Sequence, residues 1–290
     1  MKKNYKDITI ISTLYKTPQN KLKNLGCYKN FKILIFDQEG NEHTEKYLKN
    51  KLKLNVKYFL SSKNIGLSKS SNFLLSKVKT KYCLFTQPDI RISNTSIKIL
   101  HKIILKDKDL IFVSPNHSTG HRIKFKSREY DIKKKINYSC ILCDVKKLKK
   151  IGFFDEDFFL YWEDIFLERK INLSKFKMGI AYKAKAIHSS SQSSEKSYKT
   201  EYIRSLNYIY GELVYDFKLN KLRLLKIIRK LIQNIFLFIF NILLFQLKQA
   251  LKKFSNIIGI LKFVQFYIRK RYYNEKVFRS RITTTCKFVY

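Results

Sequence analysis

Over its first two-thirds the chain alternates between two kinds of segment, and that alternation constrains the fold more than any single residue does. Short runs rich in Ile, Val, Phe and Tyr stand at 7–13, 31–37, 56–62, 82–89 and 109–115. Amphipathic stretches at about 19–25, 42–51, 66–79 and 94–106 separate them. Runs that are apolar throughout belong in strands covered on both faces. Alternated with amphipathic helices, such strands build β-α-β units with right-handed crossovers. The expected class is α/β, a mostly parallel sheet flanked by helices. Ligands of such sheets bind beyond the carboxyl ends of the strands, where Asp37 and Asp89 stand. The polar, basic stretch 118–136 reads as a loop or irregular hairpin. A strand at 137–144, a short helix, a helix near 163–175 and a last strand at 178–188 follow.

Beyond about residue 197 the alternation stops, and 197–218, 221–250 and 253–273 all read as helices. Two regions are expected, 1–196 and 197–290. Within the second, 231–247 is almost wholly apolar but is interrupted by Gln233, Asn234, Asn241 and Gln246. It is shorter than the ~20 residues that span a bilayer. Asn234, Asn241 and Lys248 recur every seven residues as one narrow polar stripe, and basic residues extend on both sides. The pattern fits a helix lying in an anionic membrane surface. A dimerisation or core-packing helix and a true span are the alternatives.

The net charge is +38, from 60 Lys and Arg against 22 Asp and Glu. Such a balance points to a polyanionic partner. The excess is mostly Lys, however, and travels with abundant Ile, Asn, Phe and Tyr, the residues of A/T-rich codons. Nucleic-acid readers favour Arg for its planar fork, so no nucleic-acid partner is expected. Five scattered Cys argue for a reducing compartment. The N-terminal residues lack a signal peptide's long apolar core, so export is not expected.

Against this basic background, "FFDEDFFLYWEDIFLERK" (153–170) holds six of the 22 carboxylates. Asp155, Glu156 and Asp157 suit a helix-capping turn. Glu163 and Asp164 follow Phe158, Phe159, Tyr161 and Trp162, so an aromatic wall is expected beside them. Partial burial raises a carboxylate's pKa and makes it a better proton acceptor, and aromatic rings match the apolar faces of sugars. Elsewhere, Asp89 ends "TQPD" above the sheet, where a carboxylate can hold a divalent cation, although Asp also starts turns. Asn64 and Gly66 suit a tight turn into a helix that carries Asn72, and helix N-termini bind phosphates. His188 ends the last strand, as a ligand or as a structural histidine.

In order and spacing this set resembles the family 2 glycosyltransferases, and most closely their rhamnosyltransferase-like branch in bacterial surface polysaccharide synthesis. The resemblance covers about residues 7–190 and is carried chiefly by Gly152, Phe154-Asp155-Glu156, Phe158-Phe159, Tyr161, Glu163-Asp164 and Leu167. Gln87 stands where the branch has Asn or Asp, and "DQEG" (37–40) where it has "DN-S". The resemblance implies a GT-A fold and inverting transfer of a sugar from a nucleotide-diphospho-sugar to a hydroxyl of a glycan or lipid-linked glycan. It implies Asp164 as general base, with Glu163, Trp162 and Tyr161 binding acceptor or orienting the loop. Thr13, Asp37, Asn64, Gly66 and Asn72 fall to the nucleotide-sugar, and Asp89 with His188 to Mg²⁺ or Mn²⁺. A peripheral position on the cytoplasmic face of the inner membrane is expected, and a homo-oligomer is compatible with the pattern. An inactive protein of the same fold and a basic nucleic-acid-binding protein are the rival readings.

Overall fold

The computed structural model describes residues 6–118, 128–188 and 194–285, with side chains described to Arg271 in the last segment. Two compact units meet between Lys196 and Ser197.

The first unit is built on one sheet. Its strands are β1 (Ile8–Tyr15), β2 (Lys32–Gln38), β3 (Asn55–Ser61), β4 (Tyr82–Thr86), β5 (Ile90–Ile92), β6 (Leu110–Ser118), β7 (Tyr130–Ile132), β8 (Cys140–Asp144) and β9 (Lys177–His188). Among the described residues the α-helices that accompany them are α1 (Gln19–Leu22), α2 (Glu42–Lys46), α3 (Leu67–Lys77), α4 (Asn94–Lys106), α5 (Val145–Ile151) and α6 (Glu163–Asn172). The strand order is β3-β2-β1-β4-β8-β6-β9-β5, with β7 paired to β9.

Every residue of β4 and β8 is buried, which is why their sequences show no polar alternation. Successive residues serve opposite faces, as strand geometry requires. Ile10, Ile33 and Leu84 join the core that covers α4. Their neighbours Ile11, Leu34 and Cys83 join the core under α3 and α6. The same rule separates Cys140 from Cys143, which lie in opposite cores as free thiols. That pair is packing, not a metal or redox motif.

The sheet is mixed, not mostly parallel. β1 runs parallel to β2 and β4, and β2 to β3. β8 runs antiparallel to β4 and β6, and β5 and β7 antiparallel to β9. Periodicity reports that a strand is buried on both faces, and β8 is as buried as any parallel strand, so its direction was hidden. Short β5 and β7 were not anticipated. β7 falls within the expected loop, of which 119–127 lies outside the described residues.

The second unit consists of α7 (Tyr198–Lys218), α8 (Leu224–Leu243) and α9 (Leu247–Thr285). Ser197 and Thr200 form a reciprocal capping box at the start of α7. Lys226 on α8 meets Glu212 and Asp216 on α7 at 2.8 and 2.5 Å, and Lys230 meets Glu212 at 3.1 Å. Gly259 lets α9 close on α7, because a Cβ there would stand 2.4 Å from the Leu206 carbonyl oxygen. The expected helix 221–250 is broken early. Phe245 adopts a left-handed φ of 55°, and the Gln246 N–H reaches the Asn241 carbonyl at 2.8 Å, closing α8. Among the described residues no helix is long and apolar enough to cross a membrane. The polar stripe is also reversed from a solvent-facing one: Asn234 and Asn241 are buried, and Asn256 on α9 donates to Asn234 at 2.9 Å.

Candidate active site

The carboxyl ends of β1 and β4 open one edge of the sheet, and strand direction decides what joins them there. Because β8 runs the other way, the residues that precede it, Asn137, Tyr138 and Ser139, reach the same edge. For the same reason Asp89, just before antiparallel β5, arrives beside His188 at the end of β9. Ile11, Thr13, Phe85, Thr86 and Gln87 come from β1 and β4, Leu67 and Ser71 from α3, Phe154, Leu160 and Tyr161 from the acidic loop, and Glu163 and Asp164 from α6. With Asn137–Ser139 and His188 they line a cleft of about 310 Å³. A larger, more open cleft of about 640 Å³ is lined by Lys23, Arg91, Lys183 and Lys185 but by no carboxylate or imidazole. It offers no acid–base pair, so the smaller cleft is the candidate.

The turn that carries Asp89 is fixed from several sides. Gln87 N–H donates to the Ser139 carbonyl at 3.1 Å, Asn24 Nδ2 to the Pro88 carbonyl at 2.8 Å, and the Tyr28 hydroxyl lies 2.8 Å from Thr86 Oγ1. Asp89 is only 2% exposed, and its Oδ2 lies 3.1 Å from His188 Nε2. No group of three or more His, Cys, Asp or Glu converges among the described residues. One carboxylate and one imidazole make a sparse donor set. It fits a hard divalent cation that completes its shell with a diphosphate and water. Burial and the nearby His188 push the His117 imidazole down to about 4, so it is neutral at ordinary pH.

Glu163 and Asp164 open α6 after two consecutive left-handed residues, Tyr161 (φ 69°) and Trp162 (φ 70°). For residues with a Cβ that conformation costs about 1–2 kcal/mol each, and here it turns the helix N-terminus and both carboxylates into the cleft. Glu163 is 5% exposed, and its Oε2 has no hydrogen-bond partner among the described residues. Burial first, and then the Asp164 charge, push Glu163 up to about 8. Burial raises Asp164 as well, and the Ile165 N–H, 2.8 Å from its Oδ1, offsets only part of that. At neutral pH Glu163 therefore keeps its proton, which leaves Asp164 as the carboxyl of the pair placed to act as a base.

Of the expected residues, Thr13, Tyr161, Glu163, Asp164 and His188 line the cleft, and Asp89 touches it through His188. Asp37, Asn64, Gly66, Asn72 and Trp162 do not line it. Asp37 is buried at the end of β2 and accepts from the Tyr58 hydroxyl. Gly40 leaves room for it, since a Cβ there would meet that carboxylate at 2.2 Å. Asn64 Oδ1 accepts from Gly66 N–H at 3.0 Å. Gly66, at φ 88°, lets the Leu67 N–H reach the Phe159 carbonyl at 2.7 Å. Asn72 donates to the Phe154 carbonyl at 2.9 Å and to Glu156 at 3.0 Å, and accepts from Phe154 N–H at 3.1 Å. In this structure the hydrogen bonds of Asn72 and of the Leu67 N–H hold the acidic loop against α3, while Asn64 and Gly66 shape the turn that presents Leu67.

These contacts explain why carboxylates gather at 153–170. Asp155 caps the turn by accepting from Asp157 N–H at 3.0 Å, and Glu156 answers Asn72. Glu168 accepts from Ile136 N–H at 2.9 Å, fixing the segment that leads to Asn137–Ser139. Sequence reasoning missed those three lining residues. It also missed Gln38, whose Oε1 accepts from Ile65 N–H at 2.9 Å. The expected strand 137–144 took in "NYS", whereas β8 begins at Cys140, and only the strand's direction gives those three residues their place at the cleft.

The family model described as glycosyl transferase family 2 matches residues 11–169. Comparison with curated protein sequences finds no match. Among solved structures, GalNAc-T7 with UDP, GalNAc and Mn²⁺ aligns at 12% identity and TM-score 0.53, over 71% of this chain and 47% of that one. The mannosyltransferase PcManGT of Pyrobaculum calidifontis, with GDP-Man and Mn²⁺, aligns at 11% identity and TM-score 0.53, over 72% and 64%. S. aureus TarS 1–349 with UDP-GlcNAc aligns at 15% and TM-score 0.50, over 70% and 66%. The chain thus spans about half to two-thirds of the chains it resembles, and at these identities the likeness is one of fold. The family match covers more than half of the chain and includes the cleft's two strand ends, the acidic loop and the start of α6; the chain belongs to glycosyl transferase family 2.

Proposed function

We propose that the chain is an inverting glycosyltransferase that moves a sugar, of hexosyl or rhamnosyl type, from a nucleotide-diphospho-sugar to an acceptor hydroxyl. The observation that carries this reading is the convergence of Asp164 and the Asp89–His188 pair on one sheet edge. The donor complexes of the structural neighbours, with UDP, GDP-Man and UDP-GlcNAc, support the donor class. Asp164 accepts the acceptor's hydroxyl proton as its oxygen attacks the anomeric carbon, and the nucleoside diphosphate leaves from the opposite face. Asp89 and His188 would hold Mg²⁺ or Mn²⁺, whose charge would neutralise the departing diphosphate. Glu163 keeps its proton and leaves Asp164 as the single base. Tyr161 and Trp162 set the acceptor side. Thr13 and Asp37 take the nucleotide, and Asn64, Gly66 and Asn72 act on the donor by holding the loop that covers it. A lipid-linked glycan of cell-envelope polysaccharide synthesis is the proposed acceptor, on the strength of the 152–167 motif.

The donor assignment is tested by thermal unfolding with UDP- and GDP-sugars, with and without Mn²⁺. A cognate donor at ~100 times its Kd should add about 2.7 kcal/mol, and Asp89→Ala should remove the Mn²⁺-dependent part. Stabilisation by no nucleotide-sugar, or stabilisation that Asp89→Ala leaves untouched, contradicts it.

A further inference from the structure

Helix α8 is inside out for a helix on a water-facing surface. Its most buried positions are Ile227, Asn234 and Asn241, one seven-residue stripe with two amides in it. Those amides are satisfied inwardly, by the Lys230 and Leu237 carbonyls and by Asn256. The opposite side carries Leu225, Ile228, Ile232, Phe236, Ile239 and Leu243, at 44–75% exposure. Their spacing of three or four residues sets them in one row along the helix. Beyond the helix end, Leu244, Phe245 and Leu247 continue the row at 50, 89 and 66% exposure. Soluble proteins rarely leave so long an apolar patch to water.

The charge around this row selects its occupant. Residues 221–271 contain twelve Lys or Arg and no Asp or Glu. Lys226 and Lys230 are taken up by Glu212 and Asp216, whereas Arg223, Arg229 and Lys248 are exposed. A second copy docked on this face would bring one carboxylate-free, cationic segment against another. An anionic bilayer would meet both features, with acyl chains for the row and headgroups for the cations. At 20 residues α8 is about 30 Å long, but it fails the requirements of a span, so it must lie along the surface.

We propose that the outward face of α8, from Leu225 to Leu247, is a docking surface for an anionic lipid bilayer, with its apolar row at the acyl boundary and Arg223, Arg229 and Lys248 among the headgroups. The proposal does not depend on the catalytic reading. It is tested by co-sedimenting the full chain with vesicles of phosphatidylcholine, with and without about one-third phosphatidylglycerol. The parent should sediment with the anionic vesicles. Ile232→Glu with Phe236→Glu should lower partitioning at least ~100-fold, with helical content and thermal transition unchanged. Arg229→Gln with Lys248→Gln should lower it about tenfold or more and erase the preference for anionic lipid. Nucleotide release from a donor sugar in solution should be unaffected by either pair. Partitioning by the Glu pair equal to the parent's overturns the proposal. So does a lipid-free dimer that the Glu pair splits, because a second copy would then cover the row.

Discussion

Glu163 and Asp164 are adjacent in the chain yet differ in what they can do. Asp164 sits on the helix N-terminus with an N–H on its carboxylate, while Glu163 is buried with an unbonded oxygen. Their like charges allow only one to ionise easily, as in other paired carboxyl sites. Two outcomes follow at this scale. A carboxyl whose folded value lies above its ordinary one favours the fold while protonated and opposes it once ionised. For Glu163 the favourable contribution is complete below its ordinary 4.5 and is lost as pH rises through about 8. Thermal unfolding of Glu163→Gln should therefore gain on the parent between pH 5 and pH 8; a constant difference would remove the buried-acid assignment. Because Glu163 keeps its proton below about 8, the same substitution removes no charge from beside Asp164 at acid pH, so the acid limb of kcat against pH should coincide with the parent's. A limb that moves to lower pH would mean that Glu163 ionises alongside Asp164. The adjacent acids were plain in the sequence, but the division of labour between them was not, because it rests on one backbone N–H and on burial.

At the scale of elements, the site is assembled by direction as much as by position. Seven of the nine strands among the described residues were legible from apolar runs, and α4 from its amphipathic period; its Ser93 cap came only with the structure. The reversal of β8 was not, since burial on both faces leaves the same signature whichever way a strand runs. That single unknown concealed Asn137, Tyr138 and Ser139. It also concealed why Asp89 and His188 meet. The same limit applies to Asn64, Gly66 and Asn72, where the sequence shows a turn and a helix but not what they hold. Gly66 makes the test. A Cβ there would stand 2.5 Å from the Phe159 carbonyl oxygen, at a backbone conformation (φ 88°, ψ 166°) open almost only to glycine. Gly66→Ala should cost roughly 2 kcal/mol or more in denaturant unfolding and lower kcat through the displaced acidic loop. A loss below ~0.5 kcal/mol with full activity would show that the loop is not held there.

For the molecule as a whole, the change of character near residue 197 was visible in the sequence, whereas the sense of the Asn234–Asn241 stripe was not. A seven-residue polar repeat marks one side of a helix without saying whether that side meets water or another helix, and Asn256 decided it. Charge is spread through both units: four of the 22 carboxylates and nineteen of the 60 Lys and Arg lie beyond residue 196. With Lys far outnumbering Arg, DNA should bind through phosphates alone and weaken by about 10³-fold or more between roughly 50 and 200 mM salt. Tight binding that survives ~200 mM salt would favour the nucleic-acid reading instead. The central claim concerns one carboxylate, and steady-state transfer with the cognate donor and acceptor tests it most directly. Asp164→Asn should lower kcat by ~10²–10⁴-fold while the donor's Kd, measured by calorimetry with Mn²⁺, stays within about twofold of the parent's; undiminished turnover, or equal loss of turnover and donor binding, would contradict Asp164 as the base.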